Sequence, residues 1–128
     1  MSLNLLVVDD SSVMRRMVIR SLAVSGLQVG GLFQAENGAE ALTLMRRAWV
    51  DIVLSDIHMP EMTGIELVER MAADPLLSRI PVVIVSTERG DERLGHLRQL
   101  GIKGYLSKPF QPEHLGQLVC EVLGLETQ

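Results

Sequence analysis

Apolar residues in this chain follow two rhythms that alternate five times. Residues 5–8 (LLVV) form a continuous apolar run of strand length, the pattern of a strand covered on both faces. Val13, Met14, Met17, Val18 and Leu22 then recur at helical spacing, with Ser11 or Ser12 as N-cap and Gly26 as the stop. A strand diluted by Gly30 and Gly31 is predicted around residues 28–34. Asn37-Gly38 opens a second helix with Ala41, Leu42, Met45 and Ala48 on its inner face. Residues 52–54 read as the third strand. The third helix, over 63–73, turns Ile65, Val68, Met71 and Ala72 inward and closes at Asp74-Pro75. Pro81 introduces a strand at 82–85, and a helix over 91–100 carries Leu94, Leu97 and Leu100 around a mid-pattern Gly95. A short strand at 104–106 precedes a last helix from Pro112. There Leu115, Leu118, Val119, Val122 and Leu123 make the cleanest amphipathic stripe of the chain.

Alternating units with strands buried on both faces imply an α/β fold, a doubly wound parallel sheet with helices on both sides and right-handed connections. A length of 128 residues fits one domain, with no long linker, repeat or low-complexity segment to divide it. The formal charge of -4 and the absence of a basic stripe interleaved with aromatics argue against a nucleic-acid partner. Apolar stretches are strand-sized, short of the roughly 20 residues that span a bilayer, so no membrane association is expected. The single cysteine, Cys120, cannot form an internal disulfide, which fits a reducing cytoplasm. It falls beside the stripe of the last helix and is expected to be partly covered. Seven methionines, mostly at helix-face positions, read as core filler.

Chemistry enters at the strand ends. Four runs finish in reactive groups: Asp9 and Asp10, then Asp56, then Ser86 and Thr87, then Lys108. An open parallel sheet binds ligands beyond the carboxyl ends of its strands, so the pattern alone gathers these residues on one edge. Two like charges about 4 Å apart repel by about 1 to 4 kcal/mol, and three carboxylates therefore call for a raised pKa or a bound cation. Oxygen ligands without a convergent His or Cys favour a hard divalent ion, and few ligands with room for waters favour Mg²⁺. Mg²⁺ beside a lysine and a hydroxyl suits phosphoryl transfer. A carboxylate can itself be the nucleophile. Asp9 and Asp10 suit metal binding, which leaves Asp56 as the candidate acceptor, a choice that spacing suggests without deciding.

Taken in order, Leu6-Val7-Val8-Asp9-Asp10-Ser11, Asp56 with Met59-Pro60 and Gly64, Ser86, and Lys108-Pro109-Phe110 resemble the receiver domain of bacterial response regulators. The likeness covers nearly the whole chain and is nearest to the stand-alone chemotaxis-type members. It implies a flavodoxin-like five-stranded sheet of order 2-1-3-4-5 with five helices, residues 1–128 forming a single receiver without an output domain. It implies that Asp56 accepts a phosphoryl group from the phosphohistidine of a sensor histidine kinase or phosphotransfer domain. Asp10, Asp56 and the backbone carbonyl of His58 would hold Mg²⁺, with Asp9 acting through water. Lys108 would contact the phosphoryl group, Ser86 would move toward it, and Tyr105 would turn inward as the aromatic switch. The face of the fourth helix, fifth strand and fifth helix would then select a downstream protein. Such a chain is a phosphoacceptor with self-catalysed phosphorylation and dephosphorylation, not an enzyme. The Lys108–Pro109 bond would be cis.

Singly, each of these residues has an ordinary explanation as a turn acid, a helix cap or a surface lysine. The competing reading is a Mg²⁺-dependent aspartyl-nucleophile phosphatase of the haloacid dehalogenase kind, which needs Asp-x-Asp where this chain has adjacent acids. His58 and Glu88 flank the expected pocket, and solvated side chains without function are the favoured reading for both. His96 and His114 are assigned nothing. Members that act on the flagellar motor carry a pair of lysines at the start of the fourth helix, where this chain has Gly90 and Asp91.

Overall fold

Strand burial separates the centre of the sheet from its edges. In a computed structural model that describes residues 2–87 and 90–125, β1 (Leu3–Val8), β3 (Ile52–Ser55) and β4 (Val82–Ser86) are buried over all or most of their length. β2 (Val29–Ala35) alternates between exposed and covered positions, and β5 (Gly104–Ser107) is half-buried throughout. All neighbours pair in parallel in the order β2-β1-β3-β4-β5. This is the expected doubly wound sheet, with the central strands the continuously apolar ones because helices cover both faces.

Alternation along each strand divides the core in two. Leu6, Val8, Val53 and Ile84 face α2 (Gly38–Arg47), α3 (Gly64–Ala72) and α4 (Asp91–Leu100). Leu5, Val7, Ile52, Leu54, Val83 and Val85 face α1 (Ser12–Val24) and α5 (Pro112–Leu123). Each fully buried aliphatic side chain contributes about 1.5 to 3 kcal/mol. Helix ends follow local chemistry. Ser11, not Ser12, caps α1 by accepting from Met14 N–H, and Asn37 caps α2. Thr63 and Glu66 form a reciprocal capping box on α3. Gly101 ends α4 at φ 99°, a left-handed backbone that glycine adopts without a side-chain clash.

Three helix faces differ from the hydropathy pattern. In α1, Val13 and Met17 are exposed at 64% and 48%, while Val18, Ser21 and Leu22 are buried. The helix is clamped between the sheet and α5, so only one narrow stripe is covered. That stripe includes Ser21, whose hydroxyl donates to the Met17 carbonyl at 2.9 Å and so enters the core without an unpaired group. In α3, Leu67 is fully buried and Ala72 exposed. In α5 the covered stripe is turned toward Leu115, Gly116, Val119 and Cys120, leaving the thiol more deeply buried than expected.

The rotation of α5 has a steric cause. A β-carbon at Gly116 would overlap the side chain of Ser25, so the two helices meet with no room between them. Gly116→Val is expected to lower unfolding stability by about 1 to 3 kcal/mol through overpacking, read from the urea midpoint. Gln117→Ala, on the exposed side of the same turn, should shift it by no more than about 0.5 kcal/mol.

Candidate functional site at the carboxyl edge of the sheet

The hydrogen-bond ladders carry one residue past the strand ends and so aim the acids. Asp9 N–H donates to the Ala35 carbonyl at 3.1 Å and Asp56 N–H to the Val8 carbonyl at 2.9 Å. Their carboxylates thereby leave adjacent strands side by side. Asp9 Oδ1 accepts from Ser11 N–H at 2.9 Å, and Asp9 Oδ2 accepts from Lys108 Nζ at 3.0 Å. The same ammonium stands 3.6 Å from Asp56 Oδ2, and the Lys108, Asp9 and Asp56 side chains are only 10%, 5% and 13% exposed. Asp56 Oδ1 accepts from Ile57 N–H at 2.8 Å. Asp10 sits on the exposed rim, and carboxylate oxygens of Asp9, Asp10 and Asp56 lie within 4.8 Å of one another.

Charge is out of balance in this cup. Among the described residues three carboxylates face one ammonium, which leaves two negative charges without a counter-charge there. At about 5 Å each remaining pair repels by about 1 to 3 kcal/mol. Donors of this set are all oxygen, so Asp9, Asp10 and Asp56 could together hold a hard metal ion.

The other expected residues fall around the same edge. Ser86 ends β4 fully buried, and its carbonyl accepts from Lys108 N–H at 2.9 Å and from the Tyr105 hydroxyl at 3.3 Å. Tyr105 is half-buried, its ring against the core cluster on the α2–α4 side. Thr87 is exposed, and His58 is exposed in the loop after β3. The Lys108–Pro109 bond is cis. Glu88 lies outside the described residues. His96, given no partner from its local spacing, has Nε2 at 3.5 Å from Glu69 Oε2 on α3, an acid that only helix packing brings near.

Two supporting residues, Ser55 and Arg15, went unread in the sequence, and the contact made by a third, Gly64, was not foreseen. Ser55 is fully buried and donates its hydroxyl to the Asp56 carbonyl at 2.8 Å. Arg15 reaches back from α1, donating to the Asp9 carbonyl at 2.6 Å and to Gln34 at 2.9 Å, so the β1–α1 turn is tied to the edge strand. Gly64 N–H donates to the Ile57 carbonyl at 2.8 Å, and a β-carbon there would overlap the Asp56 carbonyl oxygen. Only the glycine spacing after Asp56 hinted at this last contact. Nothing in the local pattern marked the serine or the arginine.

Five parallel strands in this order, with acids from two neighbouring strand ends and a lysine from a third, define a doubly wound domain with an acidic cup at its carboxyl edge. Comparison with known proteins then gives the family. The profile described as the response regulator receiver domain matches residues 5–120. A chemotaxis protein CheY homolog of Campylobacter jejuni is 37% identical over 95% of this chain and 93% of its own. Chemotaxis protein CheY1 of Helicobacter pylori is likewise 37% identical, over 95% and 98%. The structure of the chemotaxis response regulator CheY4 of Vibrio cholerae superposes with a TM-score of 0.84 at 33% identity, covering 96% of this chain and all of the other. The chain belongs to the response regulator receiver family, and it is a phosphorylation-activated signalling switch. The phosphatase alternative finds no support in these likenesses. No helix among the described residues is long and apolar enough to cross a membrane.

Proposed function

We propose that Asp56 is the phosphoacceptor, taking a phosphoryl group from a phosphohistidine on a sensor kinase or phosphotransfer domain. The observation that carries this reading is the anionic cup in which Lys108 is pinned between Asp9 and Asp56. Asp9 is tied down at both oxygens and Asp10 lies on the exposed rim, whereas Asp56 Oδ2 has, among the described residues, the longer contact to Lys108. That oxygen attacks phosphorus as the phosphorus–nitrogen bond breaks, and the imidazole keeps the electron pair and takes up a proton. Mg²⁺, held by Asp10, Asp56 and the His58 carbonyl with Asp9 acting through water, would neutralise charge that develops on the phosphoryl oxygens. Lys108 turns from the carboxylates toward the new group. Arg16 and Arg20, beside the exposed Val13 and Met17, offer the donor protein a basic, partly apolar resting place on α1.

Readout follows from the added charge. A phosphoryl group brings about -1.5 to -2 charges and strong acceptor oxygens into the cup. Ser86 turns its hydroxyl toward them, Tyr105 moves into the space released, and the α4/β5/α5 face changes shape for a downstream protein. Because a phosphohistidine is charged from ATP, the switch operates in the cytoplasm. Incubation with Mg²⁺ and a small acyl phosphate should give one phosphoryl adduct per chain by intact mass, and chelation of Mg²⁺ should abolish it. Repeated turnover of assorted phosphomonoesters would overturn the reading in favour of a phosphatase.

A further inference from the structure

Ser107 ends β5 with a hydroxyl oxygen that is shut away from solvent and hydrogen-bonds to none of the described residues. A buried hydroxyl without a partner is unfavourable, and native structures keep few of them. Its position suggests a use. Ser107 is the register partner of Ser86 across the β4–β5 pair, whose strands run about 4.8 Å apart. Both side chains lie on one face of the sheet. Tyr105 and Ile84, each two residues earlier on its strand, pack in the same core cluster, and strand side chains alternate. In the order β3-β4-β5, Ser107 therefore stands directly behind Ser86 as seen from Asp56.

We infer that Ser107 is a positioning residue for the switch, donating its hydroxyl to Ser86 Oγ once Ser86 has turned to the phosphoryl group on Asp56. This rests on the phosphoacceptor reading above and deepens it. A serine hydroxyl has one proton to donate and two lone pairs with which to accept. Ser86 can thus donate to a phosphoryl oxygen and accept from Ser107 at the same time, and such chains of hydrogen bonds reinforce one another. Ser107 is unsatisfied in the arrangement described here and satisfied in the phosphorylated one. That difference biases the two-state equilibrium toward the active form.

The test uses the full chain with Mg²⁺ and beryllofluoride, a stable stand-in for the phosphoryl group, and follows binding by calorimetry. Ser107→Ala is expected to weaken beryllofluoride binding about five- to tenfold. The melting temperature of the unliganded protein should stay the same or rise, because the unpaired hydroxyl is gone. Ser107→Thr, which keeps the hydroxyl, should restore the affinity. In a Ser86→Ala background the change at Ser107 should have no further effect on affinity. Unchanged affinity in Ser107→Ala would overturn the inference, and so would an equal loss in the Ser86→Ala background. A lowered melting temperature alongside the lost affinity would assign Ser107 a merely structural role. If wild type itself fails to bind beryllofluoride, the fault lies with the phosphoacceptor reading, and this inference falls with it.

Discussion

Asp56→Asn is expected to lose the phosphoryl adduct completely and, in the absence of Mg²⁺, to make the protein slightly more stable. The amide is nearly isosteric, and its oxygen can keep the 2.8 Å bond from Ile57 N–H, so the end of β3 is preserved. What disappears is the anionic oxygen that stands 3.6 Å from Lys108, and a neutral amide does not attack phosphorus. The stability gain comes from the same charge imbalance. With one of three carboxylates neutralised, a cup with two surplus negative charges keeps only one. Asp10 is exposed and well screened, so the gain should be about 1 kcal/mol, at the low end of the pairwise repulsion. Affinity for Mg²⁺ should fall in parallel. Intact mass after acyl phosphate treatment, urea midpoints without metal and a Mg²⁺ titration check the three parts. An adduct that persists on Asp56→Asn would place the acceptor elsewhere.

Gly64→Ala should damage the site from behind without removing any charged group. A β-carbon at position 64 would overlap the Asp56 carbonyl oxygen and lie 2.9 Å from Ile57 Cα. Neither backbone is free to yield. Asp56 N–H is bonded to Val8 in the central strand pair, and Gly64 N–H is bonded to the Ile57 carbonyl. The loop between them is already tight, since Met62 N–H donates to the Pro60 carbonyl at 2.6 Å and Glu61 sits at φ 66°, a region that side chains disfavour. One of these bonds has to break or the end of β3 has to move. The expected loss is about 2 to 3 kcal/mol in the denaturant midpoint, with Mg²⁺ affinity reduced about tenfold as Asp56 is displaced. A variant with wild-type midpoint and metal affinity would show that the loop absorbs a methyl group.

Much of this protein was legible before any coordinates. Strand and helix order, the parallel sheet, the helix start at Asn37-Gly38 and the stop at Gly26 all come from signals within a few residues. Hydrophobic period, capping side chains and glycine punctuation act locally, so they can be read locally. The gathering of Asp9, Asp10, Asp56, Ser86 and Lys108 was legible for a different reason. In a parallel α/β sheet the chain returns to the same edge after every strand, so topology converts strand ends into neighbours.

Tertiary packing decided the rest. Lys108 bonds Asp9 at 3.0 Å rather than sitting closest to Asp56, an outcome set by strand offsets between residues 99 positions apart. Val13 and Met17 were freed to solvent, and Ser21 buried, because α5 covers a narrower stripe of α1 than hydropathy suggests. Glu69 met His96, and Gly64 came against Asp56, only through the docking of α3 on its neighbours. Ser107, set opposite Ser86 by the β4–β5 register, has no hydroxyl partner among the described residues. The sequence by itself determined which elements form and which edge carries the chemistry, since those depend on period and chain order. Which oxygen meets which donor was decided by the folded molecule, because contacts of a few ångströms depend on helix rotation and strand register that no local pattern encodes.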